Sequence, residues 1–136
     1  MKKAIAIAVV LAGMSVAGYA QEVTLSDLQA KGAKTLAKDE LETVVKGATI
    51  HWTTTKGVNF QIKFAEDGSI AGSYINPSRT MKGVPLSGTW KIADDGKLCR
   101  AQVQKGQTDE ICWVVSKLGD KYYQGIKTAT ELQITK

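Results

Sequence analysis

Cys99 and Cys112 are the only thiols of the chain and stand 13 positions apart. Two cysteines in a chain bound for an oxidising compartment favour a disulfide. It would close a loop of about 14 residues, worth roughly 3 kcal/mol through lost freedom of the unfolded chain. No C-x-x-C is present, so dithiol redox chemistry lacks its parts. His51 is the single histidine, too few for a multi-histidine zinc site; with Ile50 and Trp52 beside it, a strand side chain is expected rather than a ligand. Acid pairs occur at Asp39/Glu40, Glu66/Asp67, Asp94/Asp95 and Asp109/Glu110. Glycoside hydrolysis or calcium binding would need such carboxylates to converge from separate strands, whereas most of these pairs fall in expected turns, where acids are simply solvated. Phosphate-loop, dinucleotide, nucleophile-elbow and haem motifs are absent. These are the parts an enzyme would need. No enzymatic activity is expected, and no metal or cofactor.

What remains is binding. Trp52, Phe60, Phe64, Tyr74, Trp90, Trp113, Tyr122 and Tyr123 are spread over nearly every expected strand. In a small barrel, inward rings either fill the interior or line a pocket. For a pocket, Trp52, Trp90 and Trp113 are the expected walls, with Tyr122, Arg100, Gln102 or Gln124 as the polar groups that orient a ligand. A second surface is the irregular stretch 76–87, which holds both prolines, Gly83 and the cations Arg79 and Lys82. It suits a lid or a protein contact.

The elements that must position these residues follow from hydrophobic period. Ser26-Asp27-Leu28-Gln29 fits a capping box for a short first helix that stops at Gly32. Leu41, Val44 and Val45 form the apolar stripe of a second helix over 38–46, with Leu36 and Leu41 as a staple around Ala37 and Gly47 just past its end. Asp39 and Glu40 favour its positive end, and Lys46 its negative end. This helix should cross a sheet or plug a barrel. From Thr49 the period becomes 2. Strands are expected over 49–53, 58–64, 70–75, 88–92, 98–104, 111–118 and 122–126, with a last one through Leu132 and Ile134. Asp67-Gly68 and Asp95-Gly96 mark turns. Seven or eight short strands so spaced predict a small antiparallel β-barrel or curved sheet with one or two N-terminal helices. If 97–104 and 111–118 form a hairpin, Cys99 faces Cys112 when Lys105-Gly106 makes a two-residue turn. A longer loop would separate them. The direct pair is preferred.

Lys2 and Lys3, the uncharged run 4–17 and Gly18-Tyr19-Ala20 make a secretory signal with cleavage after Ala20. The run is shorter than the roughly 20 residues a membrane helix needs. The expected divisions are a leader over 1–20, a helical segment over 21–47 and a β domain over 48–136, the last two packed as one unit. The mature chain is expected to be a soluble monomer, periplasmic or secreted from a Gram-negative bacterium. Leader removal takes two lysines and no acid, leaving 16 bases against 13 acids and a net charge of +3. With no Lys/Arg cluster, that balance argues against a nucleic-acid partner. The expected partner is an apolar or amphipathic small molecule, or alternatively a protein held by the 76–87 loop in an inhibitor-like role.

Gly88-Thr89-Trp90, Asp95-Gly96-Lys97-Leu98-Cys99 and Cys112, together with 36–47 and Glu66-Asp67-Gly68, resemble a family of small exported bacterial proteins of unknown function. Their pattern is a helix ending in Gly, then G-T-W, D-G-x-L-C and a second cysteine. The resemblance covers most of 36–123 and implies no activity. Where that helix often starts at a serine cap, this chain has Ala37, at a cost of about 1 kcal/mol. Gly88-Thr89-Trp90 is also similar to the G-x-W of lipocalin-like and avidin-like barrels, although there the motif lies in the first strand.

Overall fold

A computed structural model describes residues 23–104 and 106–136. The expected leader and its cleavage site lie outside the described residues. The first elements are β1 (Val23–Thr24), α1 (Leu25–Ala30), β2 (Lys34–Thr35) and α2 (Lys38–Val45). Eight longer strands follow: β3 (Thr49–Thr53), β4 (Asn59–Phe64), β5 (Ser69–Ile75), β6 (Val84–Ile92), β7 (Leu98–Gln104), β8 (Gln107–Leu118), β9 (Lys121–Gly125) and β10 (Thr128–Thr135). Each of the eight pairs antiparallel with the next, and β10 returns to pair with β3. The result is a closed, eight-stranded up-and-down barrel, an arrangement with no free sheet edge.

The two short strands complete gaps in the wall. β1 lies on β10 at Val23↔Ala129, beyond the end of its ladder with β3, which runs from Gln133↔His51 to Thr135↔Thr49. β2 lies on β8 at Lys34↔Lys117, beyond the last β7 pair, Leu98↔Trp113. This anchorage also explains where α1 starts. Thr24, the last residue of β1, is the cap: its Oγ1 accepts from the Asp27 N–H at 3.1 Å while Asp27 accepts from the Thr24 N–H at 3.4 Å. The expected cap at Ser26 is therefore corrected by two residues, because strand pairing holds the chain extended up to Thr24.

α2 closes one end of the barrel. Leu41 and Val45 are fully buried with Leu36, Ala48, Phe64, Ile70, Leu98 and Val115 in one apolar cluster. Ala37 offers no side-chain cap, but Glu40 Oε1 accepts from its N–H at 3.3 Å, half of a capping box. Gly47 turns the chain at a φ of +78° and donates to the Phe64 carbonyl at 2.7 Å, so the helix exit is sewn to β4. Lys136, past β10, reaches the Thr43 carbonyl. Strands β4, β6 and β8 end near this plug, and among the described residues no helix lines the opening at the opposite end.

Two strands are longer than their periodicity suggested. β6 starts at Val84, so the irregular stretch expected over 76–87 ends at 83: Val84, Pro85 and Leu86 pair with Tyr74, Ser73 and Gly72. Proline obscured this because it lacks a ladder donor. β8 starts at Gln107 rather than 111, since Gln104 pairs with Gln107. That register places Cys99 opposite Cys112, with their Cα atoms 4.0 Å apart and the disulfide formed.

Candidate functional site

Alternation along each strand sorts the wall into two faces. Towards the plugged end, Ile50, Ile62, Phe64, Ile70, Leu86, Leu98 and Leu132 fill the interior. Towards the open end, the inward positions change character. Trp52 on β3 stacks on Phe60 of β4, with ring centroids 4.9 Å apart and planes within 8°, and Phe60 meets Tyr74 of β5 at 5.5 Å. Across the interior stands Trp113 on β8. Between these aromatics the barrel holds a cavity of about 480 Å³ whose wall includes Trp52, Phe60, Arg100, Gln102, Ile111 and Trp113. Residues 125–128, at the turn from β9 to β10, form its rim with Thr54.

Arg100 is the unusual member. It is only 3% exposed, yet it makes no ion pair among the described residues. Its guanidinium carbon lies over two indoles, 4.6 Å from the Trp52 ring centre and 4.1 Å from that of Trp113. Cation–π contacts of this kind offset part of the cost of burying a charge. Its in-plane donors are not satisfied: Nε and Nη1 are buried without a hydrogen-bond partner. Two residues on, facing the same way, the Gln102 side-chain oxygen is also buried and unpaired. Gln124, 5% exposed, lines the same space. Burial pushes the Arg100 guanidinium down from 12.5 to about 9, which leaves it charged at neutral pH. Because its folded value lies below its unfolded one, the charge opposes folding at every pH below about 9.

Opposite Gln102 on β6 lies Gly88. A Cβ there would fall on the Ala101 carbonyl group and come within 3.2 Å of the Gln102 Cα. The glycine thus lets β6 approach the strand that carries Arg100. Cys99 and Cys112 alternate with Leu98, Arg100 and Trp113, so the disulfide ties β7 to β8 from the other face of the wall. It fixes the register around Arg100 without occupying the cavity.

Of the residues singled out from sequence, the fold brings Trp52, Trp113 and Arg100 together on the cavity, with Gln102 and Gln124. Trp90 sits near the plugged end, where its Nε1 donates to the Ala65 carbonyl at 2.8 Å and its ring meets Phe64 at 6.0 Å. Tyr122 packs against the apolar cluster, with the Lys117 ammonium 5.3 Å from its ring, and is not part of the cavity wall. Arg79 and Lys82 are exposed on the connection between β5 and β6, also outside that wall. Phe60, Ile111 and residues 125–128 were not singled out as lining residues. The inward alternation of β4 could have signalled Phe60, whereas nothing local marks a β9–β10 turn as a rim. His51 pairs with Gln133 through Nδ1 at 3.3 Å, and Asp67, Asp94 and Asp95 engage Ser69, Lys38 and Lys97 at turns.

A family model described as a protein of unknown function, DUF995, matches residues 8–130. The chain belongs to this family. Neither a curated protein nor a solved structure matches it. Membership of DUF995 carries no activity with it, so the chemistry of the site rests on the residues themselves. No helix among the described residues is long and apolar enough to cross a membrane.

The lone buried charge yields a test of its own. Burying an ion costs several kcal/mol, and the two indoles return only part of that. Arg100→Met is therefore expected to stabilise the barrel by about 1–2 kcal/mol, raising Tm by roughly 5 °C. A thermal melt checks it. A lower Tm would mean that indole stacking outweighs the desolvation.

Proposed function

We propose that this DUF995 protein is a non-enzymatic binding module that takes an amphipathic small molecule into the open end of its barrel. The observation that carries the reading is the cavity itself: aromatic walls with a few convergent polar groups at its base, the usual make-up of a ligand site. A packed core would have continued the close apolar filling seen near α2. Export fits the same picture. The N-terminal signal pattern and the closed disulfide both suit an oxidising compartment, and we read the mature chain as periplasmic or secreted.

Native mass spectrometry of the protein recovered undenatured from its own cell envelope tests both parts. The expected mass is that of residues 21–136 less two hydrogens, plus one small adduct released on collisional activation. A bare chain that also fails to take up any ten-carbon amphiphile would overturn the binding reading. A mass retaining the first 20 residues would overturn the cleavage.

A further inference from the structure

We infer that the molecule taken up is an apolar carboxylic acid, held by its carboxylate on Arg100; the inference rests on the binding reading above and names its ligand class. Three observations point to it. First, the guanidinium at the base of the cavity is buried without a counter-ion, and Nε and Nη1 lack partners. A buried charge in that state is strongly unfavourable until something of opposite sign reaches it. Second, the two indoles under Arg100 Cζ engage the face of the guanidinium. That leaves its edges, where Nε–H or Nη1–H forms a hydrogen-bond fork with Nη2–H, for a planar oxyanion; a carboxylate accepts one such fork through two parallel bonds.

Third, the surroundings are of the right sign and polarity. Arg100 and, at the rim, Lys127 are the charged residues of the wall, which holds no acid among the described residues. Asp109, the register partner of Gln102, is exposed and not part of it. A cationic head would meet repulsion there. A neutral one would leave the guanidinium uncompensated. Trp52, Phe60, Ile111 and Trp113 supply the wall's apolar surface and accept the body of the ligand, and its other polar side chains, threonines and glutamines, carry no charge. One buried cation matches one negative charge, which favours a carboxylate over a phosphate dianion whose second charge would need its own partner. Gln102, whose side-chain oxygen is unpaired in the same wall, supplies an acceptor for a hydroxyl on the ligand.

Four probes with one ten-carbon tail separate the head from the tail: decanoate, decyl phosphate, decanol and decyltrimethylammonium, each titrated calorimetrically into the mature protein. Decanoate is expected to bind at least tenfold more tightly than decanol, and decyltrimethylammonium not at all. In Arg100→Met the gap between decanoate and decanol should close to within about twofold, through loss of decanoate affinity. Arg100→Lys, which keeps the charge but loses the fork, should retain part of the preference and covers the case in which the Met variant fails to fold. Equal binding of decanoate and decanol by the wild type, a preference that survives Arg100→Met, or tighter binding of decyl phosphate would each overturn the assignment. Decanol binding alone would leave the cavity reading standing and remove only the carboxylate. Failure of every probe would remove both.

Discussion

Reduction of the Cys99–Cys112 bond, or its replacement by two alanines, is expected to cost about 3 kcal/mol of stability and to lower Tm by roughly 10 °C or more. The bond joins two facing residues of the β7–β8 hairpin, 13 positions apart. Opening it frees the unfolded chain far more than it alters the folded one, because the ladder from Leu98↔Trp113 to Gln104↔Gln107 holds the same register by hydrogen bonds. The barrel should therefore still form in reductant, with unchanged circular dichroism at 20 °C and an earlier melt. Parallel melts of the oxidised, reduced and double-alanine proteins make the comparison. A shift below about 1 kcal/mol would mean that the hairpin is already ordered in the unfolded chain and that the bond adds little. A functional consequence follows from position. The bond lies between the Leu98↔Trp113 and Arg100↔Ile111 pairs, so its loss bears directly on the strands that carry Arg100 and Trp113.

Much of this architecture was legible from residue order, and the reasons differ by element. β4 was readable because Phe60, Ile62 and Phe64 alternate with polar residues, the mark of a strand with one buried face. α2 was readable because Leu41, Val44 and Val45 share a stripe and Gly47 stops it. Even the register of the β7–β8 hairpin followed from requiring Cys99 to face Cys112. Closure was less accessible: a curved sheet and a barrel share one alternation, and the β10–β3 pairing that separates them joins residues more than 80 positions apart. β1 and β2 had no signal at all, since each is a pair of residues whose strand geometry comes from the neighbour it meets. In the site, Arg100 and the indoles of Trp52 and Trp113 could be named from type, but not their convergence. Trp90 shares the inward face of its strand with Gly88. Its register partner is Arg100, yet its indole turns away from the cavity to the Ala65 carbonyl, which accepts from Nε1.

Glycines inside strands were the strongest signal left unread, and one of them carries the largest expected effect. Gly72 lies mid-β5, paired with Ile62 on one side and Leu86 on the other. A Cβ placed on it would fall on the Gln61 carbonyl and within 2.7 Å of the Ile62 Cα. The obstacle is backbone, which cannot swing aside as a side chain would. Nor can β5 retreat from β4, because its other edge is held by β6. Gly72→Ala, ordinarily a mild change, is therefore expected to cost about 3 kcal/mol or more, in the range reserved for core disruption. Gly119→Ala is the control. That glycine turns β8 into β9 at a φ of +64° with nothing near its would-be Cβ, so alanine meets conformational strain alone, about 1 kcal/mol. The same single methyl thus separates two reasons for glycine. Denaturant melts of the two variants should differ by at least about 2 kcal/mol, with Gly72→Ala recovered poorly or not at all as folded protein. Equal losses would mean that β4 and β5 can part at Gly72 without breaking the ladder. The barrel wall would then be softer than its closed hydrogen bonding implies, and the cavity it shapes correspondingly less fixed.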